Sequence, residues 1–242
     1  MNENNANVKD LIKEQGFLPL FFYNKKETNR KVVDLLYKSG VRIIEFALRG
    51  DGMMDALKDL LQYRNEKYPD FKIGVGTVKS PEEVMEVAVL DIAFISSPGM
   101  DPAIGKVAEE NNAIWMPGCM TITEIMMAER HGANVVKLCP AALLTSSFLV
   151  GVKEIFPKLS FIPMGGIDTT RNELTPWFDA GAAAVSLGSR LLGKTLLEND
   201  AFDVIESRIV KTTYMIKTLK KYKAEEAKQL EFLHKKAEIA ED

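Results

Sequence analysis

Thiols and imidazoles are scarce in this chain. Two cysteines, Cys119 and Cys139, and two histidines, His131 and His234, are all it has in 242 residues, and neither cysteine has a C-x-x-C companion. That excludes a disulfide framework and a Cys/His zinc site, so no metal is expected. A long hydrophobic run is also missing. The longest uncharged apolar stretch, Leu138 to Val152, falls short of the roughly 18 residues a membrane span needs, and Pro140 and Gly151 interrupt it. The opening MNENNANVKDLIKEQ is polar and mixed in charge, without the basic flank and apolar stretch of a secretory signal, which leads to the expectation of a cytoplasmic protein with no membrane partner. Nor does positive charge prevail. Thirty-one Lys and Arg against 34 Asp and Glu leave a net charge of −3, which argues against nucleic acid as a partner. What remains is ordinary globular composition, 46% hydrophobic and 27% charged, sufficient to bury a core.

From Phe17 to Ser189 a short apolar run, a polar break and a stretch of helical spacing follow one another repeatedly. The strand candidates are 17–23, 42–48, 72–77, 91–96, 113–116, 134–138, 160–164 and 183–187. Eight is the number that closes a barrel. Helix signals fall between them: Thr28 opening a segment that ends at Ser39-Gly40, Ser80-Pro81-Glu82-Glu83, Thr121 in capping-box spacing with Glu124, and terminal glycines at Gly132 and Gly181. Runs such as IIEFAL and AAVSL are apolar throughout instead of alternating, as parallel strands covered on both faces must be. A doubly wound open sheet is the alternative, but no G-x-G-x-x-G follows the first strand. The expectation is therefore a (β/α)8 TIM barrel over residues 1–199, with a short N-terminal lead, and a C-terminal helical extension over 200–242. In that extension Leu219, Tyr222, Leu230, Leu233 and Ala237 recur near helical spacing. Its first part can serve as the eighth barrel helix.

Barrel chemistry is found at the carboxyl ends of the strands, which narrows the search to polar residues there. Lys137 lies in the apolar ANVVKLCPAALL, where an ammonium is poorly solvated and a neutral amine can attack a carbonyl. Its bland reading is a lysine that reaches the barrel mouth and pairs with a carboxylate. Glu45, within RIIEFALR, is a candidate general acid or base, or simply the ion-pair partner of Lys137 or Arg49. Gly165-Gly166 and Gly188-Ser189 follow the seventh and eighth strands, where barrels often hold phosphate on backbone N–H groups.

The ordered set GVRIIEFALRG, GVGTV, SSPGM, MPGCMT, VVKLCPA, PMGGI and SLGSRLL resembles the class I aldolases that cleave 2-keto-3-deoxy-6-phosphogluconate and 4-hydroxy-2-oxoglutarate, over roughly Leu18 to Leu192. The resemblance implies that Lys137 is the Schiff-base lysine and Glu45 the acid/base carboxylate. It places Arg49 and Thr77 around the pyruvyl carboxylate, and Gly165, Gly166, Gly188 and Ser189 around a phosphate. It further implies a phosphorylated keto-acid substrate, no cofactor and a homotrimer. Two positions depart from the family pattern: Met164 stands where a threonine is usual, and Cys139 where an aromatic residue is common. A phosphosugar isomerase or epimerase on the same barrel, or an inactive barrel kept as a binding module, are the competing readings.

Overall fold

The computed structural model describes residues 3–241, with side chains for residues 8–226, 228 and 229. In chain order the elements are α1 (Glu3–Gln15), β1 (Phe17–Phe21), α2 (Lys26–Lys38), β2 (Ile43–Ala47), α3 (Met53–Lys67), β3 (Lys72–Gly76), α4 (Pro81–Ala88), β4 (Ile95–Ser97) and α5 (Pro102–Glu110). There follow β5 (Trp115–Cys119), α6 (Ile122–Arg130), β6 (Val135–Leu138), α7 (Ser146–Ile155), β7 (Ser160–Pro163), α8 (Arg171–Asp179), β8 (Val185–Leu187), α9 (Lys194–Glu198) and α10 (Phe202–Glu241). All strand pairs are parallel, in the order β7-β6-β5-β4-β3-β2-β1-β8. The two ends of that sheet meet where the Ala183 N–H donates to the Phe161 carbonyl at 3.0 Å and Met164 bridges Ser186. The result is a nearly closed (β/α)8 barrel.

Local signals explain most boundaries. The Ser80 hydroxyl accepts from the Glu83 N–H with Pro81 at the first turn of α4, and Thr121 and Glu124 form a reciprocal capping box on α6. Thr28 does not cap α2; it lies inside that helix, buried, and the preceding cap position is Lys25. The fourth strand begins at Ile95 and not at Asp91, because the chain still turns there, with the Ile92 N–H donating to the Leu90 carbonyl. The fifth runs on through Pro117 and Gly118 to Cys119, although both residue types usually end strands. At Gly118 a Cβ would overlap the Pro98 carbonyl, so only glycine lets the strand continue past that loop.

Alternation divides each strand between a face toward the helices and a face toward the barrel axis. Leu18, Ile43, Phe94, Met116, Ile162 and Ala184 make one inner layer, distinct from the main core between strands and helices. The N-terminal lead is the helix α1, and it plugs the amino end of the barrel by setting Val8 and Ile12 against that layer. Gln15 fastens it: its amide donates to the carbonyls of Phe17 and Ile43 and accepts from the N–H groups of Arg42 and Ile43.

The long helix α10 packs on α2, α8 and α9, the place of an eighth barrel helix, through Ile205, Ile209, Ile216 and Leu219. Lys220 then crosses to α1 and donates to the carbonyls of Lys13 and Glu14, favourable for a cation at a helix carboxyl end. Lys223 pairs with Asp179 at 2.6 Å, whereas Tyr222 is exposed. The side chains of Leu230, Leu233 and Ala237, expected on the helical stripe, lie outside the described residues, as does Asp242. No helix among the described residues is long and apolar enough to cross a membrane.

Candidate active site

Two charged side chains stand inside the barrel, one level above its inner apolar layer. Val135 and Ile43 belong to that layer, so Lys137 and Glu45, each two residues further on, also face the axis. Both are buried, Lys137 at 0% and Glu45 at 2% exposure, and the Lys137 Nζ meets the Glu45 Oε2 at 2.5 Å. Barrel closure brings these residues together from positions 92 apart in the chain. Space for the carboxylate comes from β3, where a Cβ on Gly76 would collide with Glu45 Oε1. Desolvating two charges is costly and their attraction returns roughly what it loses, so such a pair is poor evidence for a stability role. Its presence directly above a layer of Leu18, Ile43, Phe94 and Met116 is better explained by chemistry.

Above the pair, the Arg49 Nε donates to the Thr77 hydroxyl at 3.0 Å, and the guanidinium lies 5.4 Å from the Phe22 ring centre. Thr77 has φ of 64°, the left-handed region, which a β-branched residue enters only under strain. Strain of this kind persists where surrounding structure holds a residue in place, commonly at a functional site.

A cavity of about 320 Å³ opens at the carboxyl ends of β1, β7 and β8, within the size range of small-ligand sites. Arg49, Cys139, Gly165, Gly166, Gly188 and Ser189 all line it. Met164 also faces it. Thus the structure gathers the residues expected around a ligand, with Thr77 reaching it through Arg49 and the Lys137–Glu45 pair beneath. Cys139 connects the two levels: burial pushes its thiol up, while the nearby Lys137 and Arg49 act in the opposite direction. Gly165 and Gly166 have φ of 94° and 86°, and a Cβ on Gly166 would lie 2.5 Å from the Ala142 Cβ. Backbone conformation favours glycine at both positions, and at Gly166 space requires it as well. Gly188 has neither constraint.

Three polar residues of the cavity wall lie outside the sequence expectations. Arg190 and Lys194 add positive charge beside the glycine loops, paired only loosely with Asp168 at 3.7 Å and Glu198 at 3.5 Å. Arg190 follows Ser189 directly, a signal that was there to be taken; Lys194 reaches the wall only because the chain folds back after β8. The third is Ser186, a small polar residue in an apolar strand. Two cavities of about 200 and 210 Å³ lie at the opposite end beside α1, away from these groups. Among the described residues no three His, Cys, Asp or Glu side chains gather as metal ligands.

A (β/α)8 barrel with its polar side chains collected under the carboxyl ends of the strands has the layout of a barrel enzyme. Residues 8–208 match the aldolase family described as KDPG and KHG aldolase, and the chain belongs to that family. Membership supports an aldolase, and so a lyase, role. The chain is 30% identical over 163 residues to a 2-dehydro-3-deoxy-phosphogluconate aldolase of Dickeya dadantii, covering 67% of this chain and 75% of that one. It is 25% identical over 207 residues to the enzyme of the same name from Pseudomonas aeruginosa, covering 85% and 91%. Among solved structures, the KDPG aldolase of Legionella pneumophila, with pyruvate captured at low pH as a covalent carbinolamine intermediate, superposes with a TM-score of 0.76 at 22% identity. That alignment covers 85% of this chain and 97% of the other, and bears on the fold.

Proposed function

We propose that this protein is a class I aldolase that cleaves a 2-keto-3-deoxy sugar acid, phosphorylated at its far end, into pyruvate and an aldehyde. The observation that carries the reading is the buried Lys137–Glu45 contact of 2.5 Å beneath a cationic cavity. Across that contact the carboxylate takes a proton from the ammonium, and the freed amine adds to the C2 ketone. Glu45 returns the proton as water leaves, which generates an iminium ion. The carboxylate next removes the C4 hydroxyl proton, the C3–C4 bond breaks, and its electron pair passes into the iminium to give an enamine and a free aldehyde. Protonation at C3 and hydrolysis release pyruvate and restore the amine. Arg49, oriented by Thr77, holds the pyruvyl carboxylate. The Legionella enzyme holds pyruvate as a carbinolamine; in this chain the corresponding step is assigned to Lys137. Family membership also supports assembly as a homotrimer.

Pyruvate and borohydride test the reading. Reduction is expected to fix one pyruvyl-derived mass on the peptide that carries Lys137, whereas an isomerase using Glu45 alone would yield no adduct.

The far end of the substrate is assigned to Gly165, Gly166, Gly188 and Ser189, with Arg190 and Lys194 beside them. Cations in direct contact with a phosphate and binding energy used to orient the reacting carbon should together raise kcat/KM on the order of 10²-fold over the unphosphorylated substrate. Matched substrates measured by pyruvate release check this, and inorganic phosphate should compete with the phosphorylated one. Arg190→Ala should reduce the preference by about tenfold, the loss of one charge-assisted hydrogen bond. Equal kcat/KM for the matched pair would remove the phosphate from the proposal.

A further inference from the structure

One polar side chain in the barrel mouth is without a partner. Ser186 on β8 is 3% exposed, its Oγ makes no hydrogen bond, and it lines the cavity that Arg49, Cys139 and Gly165 share. Strand alternation directs it there. Ala184 belongs to the inner apolar layer, Val185 and Leu187 to the core under the helices, and so Ser186 faces the axis. Across the neighbouring strands it stands opposite Leu18 and Met164, whose side chains leave a hydroxyl unsatisfied. Among the described residues four other buried polar atoms lack partners, on Asn29, Arg64, Thr175 and Thr213, and none of those residues lines this cavity. A desolvated, unpaired hydroxyl is unfavourable in the empty protein. At the wall of a ligand cavity it becomes favourable once a polar group of the ligand meets it.

We propose that Ser186 is a further substrate-binding residue, hydrogen-bonding a neutral hydroxyl of the substrate on the aldehyde side of the bond that breaks. The proposal rests on the aldolase reading above. Charge decides which substrate group it meets, because Arg49 serves the carboxylate and Arg190 and Lys194 the phosphate, leaving a neutral donor and acceptor for a neutral hydroxyl. Position agrees with this. Strand register sets Ser186 level with Met164, two residues beyond Ile162, the partner of the Lys137 that holds C2, and two residues before Gly188 of the anion loop. The hydroxyl on the carbon next to C4 is the group between those ends. Ser186 thereby selects substrates whose aldehyde product carries an α-hydroxyl. A 2-keto-3-deoxy sugar acid meets that requirement; 4-hydroxy-2-oxoglutarate, which releases glyoxylate, does not.

The test compares a phosphorylated 2-keto-3-deoxy sugar acid with its 5-deoxy analogue, using the full-length protein and its Ser186→Ala variant. For the parent protein the analogue should show a kcat/KM about tenfold lower. The variant should lose about tenfold on the hydroxylated substrate and nothing on the analogue, so that the ratio falls to near one. Trapping of pyruvate on Lys137 should be unchanged, and thermal stability should not fall, since the lost hydroxyl had no partner. Equal losses on both substrates would mean a packing role, and no loss on either would mean no role; both overturn the assignment while leaving the aldolase reading intact. A parent protein that fails to trap pyruvate overturns both proposals.

Discussion

Lys137→Ala is expected to end turnover, with kcat falling on the order of 10⁵-fold or more, as in enzymes deprived of a covalent nucleophile. Among the described residues no other amine is placed to replace it. Lys194 lines the cavity but is 72% exposed and associated with Glu198, a solvated cation instead of an amine in an apolar cage. The same substitution should also destabilise the fold, because Glu45 would remain buried with its cation gone. Breaking a buried pair in this way typically costs about 3–5 kcal/mol. Those two effects can be separated by the Lys137→Met, Glu45→Gln double variant, which removes both charges while nearly conserving volume. It should recover most of the stability in denaturant unfolding and none of the pyruvate release. Turnover in the folded double variant would show that the reaction proceeds without an imine.

How far the sequence discloses this arrangement depends on whether a residue's meaning is local. Strands buried on both faces are apolar along their length, so IIEFA and VVKL can be read without neighbours, and a charge inside either is conspicuous. Lys137 and Glu45 were found for that reason. Their mutual contact was only one of several pairings the sequence allowed, since it needs the closure that joins β2 to β6 across the axis. The capping box at Thr121 is equally local. The continuation of β5 through Pro117 and Gly118 is not, because the space Gly118 leaves is defined by the Pro98 carbonyl of another loop. The helix α1 was hidden for a similar reason: Val8 and Ile12 are a thin apolar signal, and only the open end of the barrel makes them buried. Ser186 is the extreme case, an unremarkable serine until its hydroxyl is seen to have no partner in the wall of a cavity.

Glu45→Gln should lower kcat by about 10²–10⁴-fold, the usual contribution of a positioned general acid or base, with KM much less affected. The amide fills the same space under Gly76 and can still accept from Lys137, which offsets part of the roughly 3–5 kcal/mol that breaking the buried pair costs. Borohydride should still label Lys137 with pyruvate, more slowly, because the proton removed across the 2.5 Å contact must then go to water. Retained labelling with lost turnover separates proton transfer from nucleophilic attack, which a substitution of the lysine cannot do. Gly76→Ala provides an independent route to the same carboxylate. It keeps the charge but places a methyl group where Oε1 sits, and the backbone there does not require glycine's left-handed freedom. If Glu45 must be held against both the amine and the C4 hydroxyl, displacing it should cost turnover while leaving pyruvate trapping in place, since a near-attack geometry tolerates little misplacement. Near-normal kcat in both variants would transfer the proton steps to another group, such as a water in the cavity above, and leave Glu45 as the counter-ion of Lys137 alone.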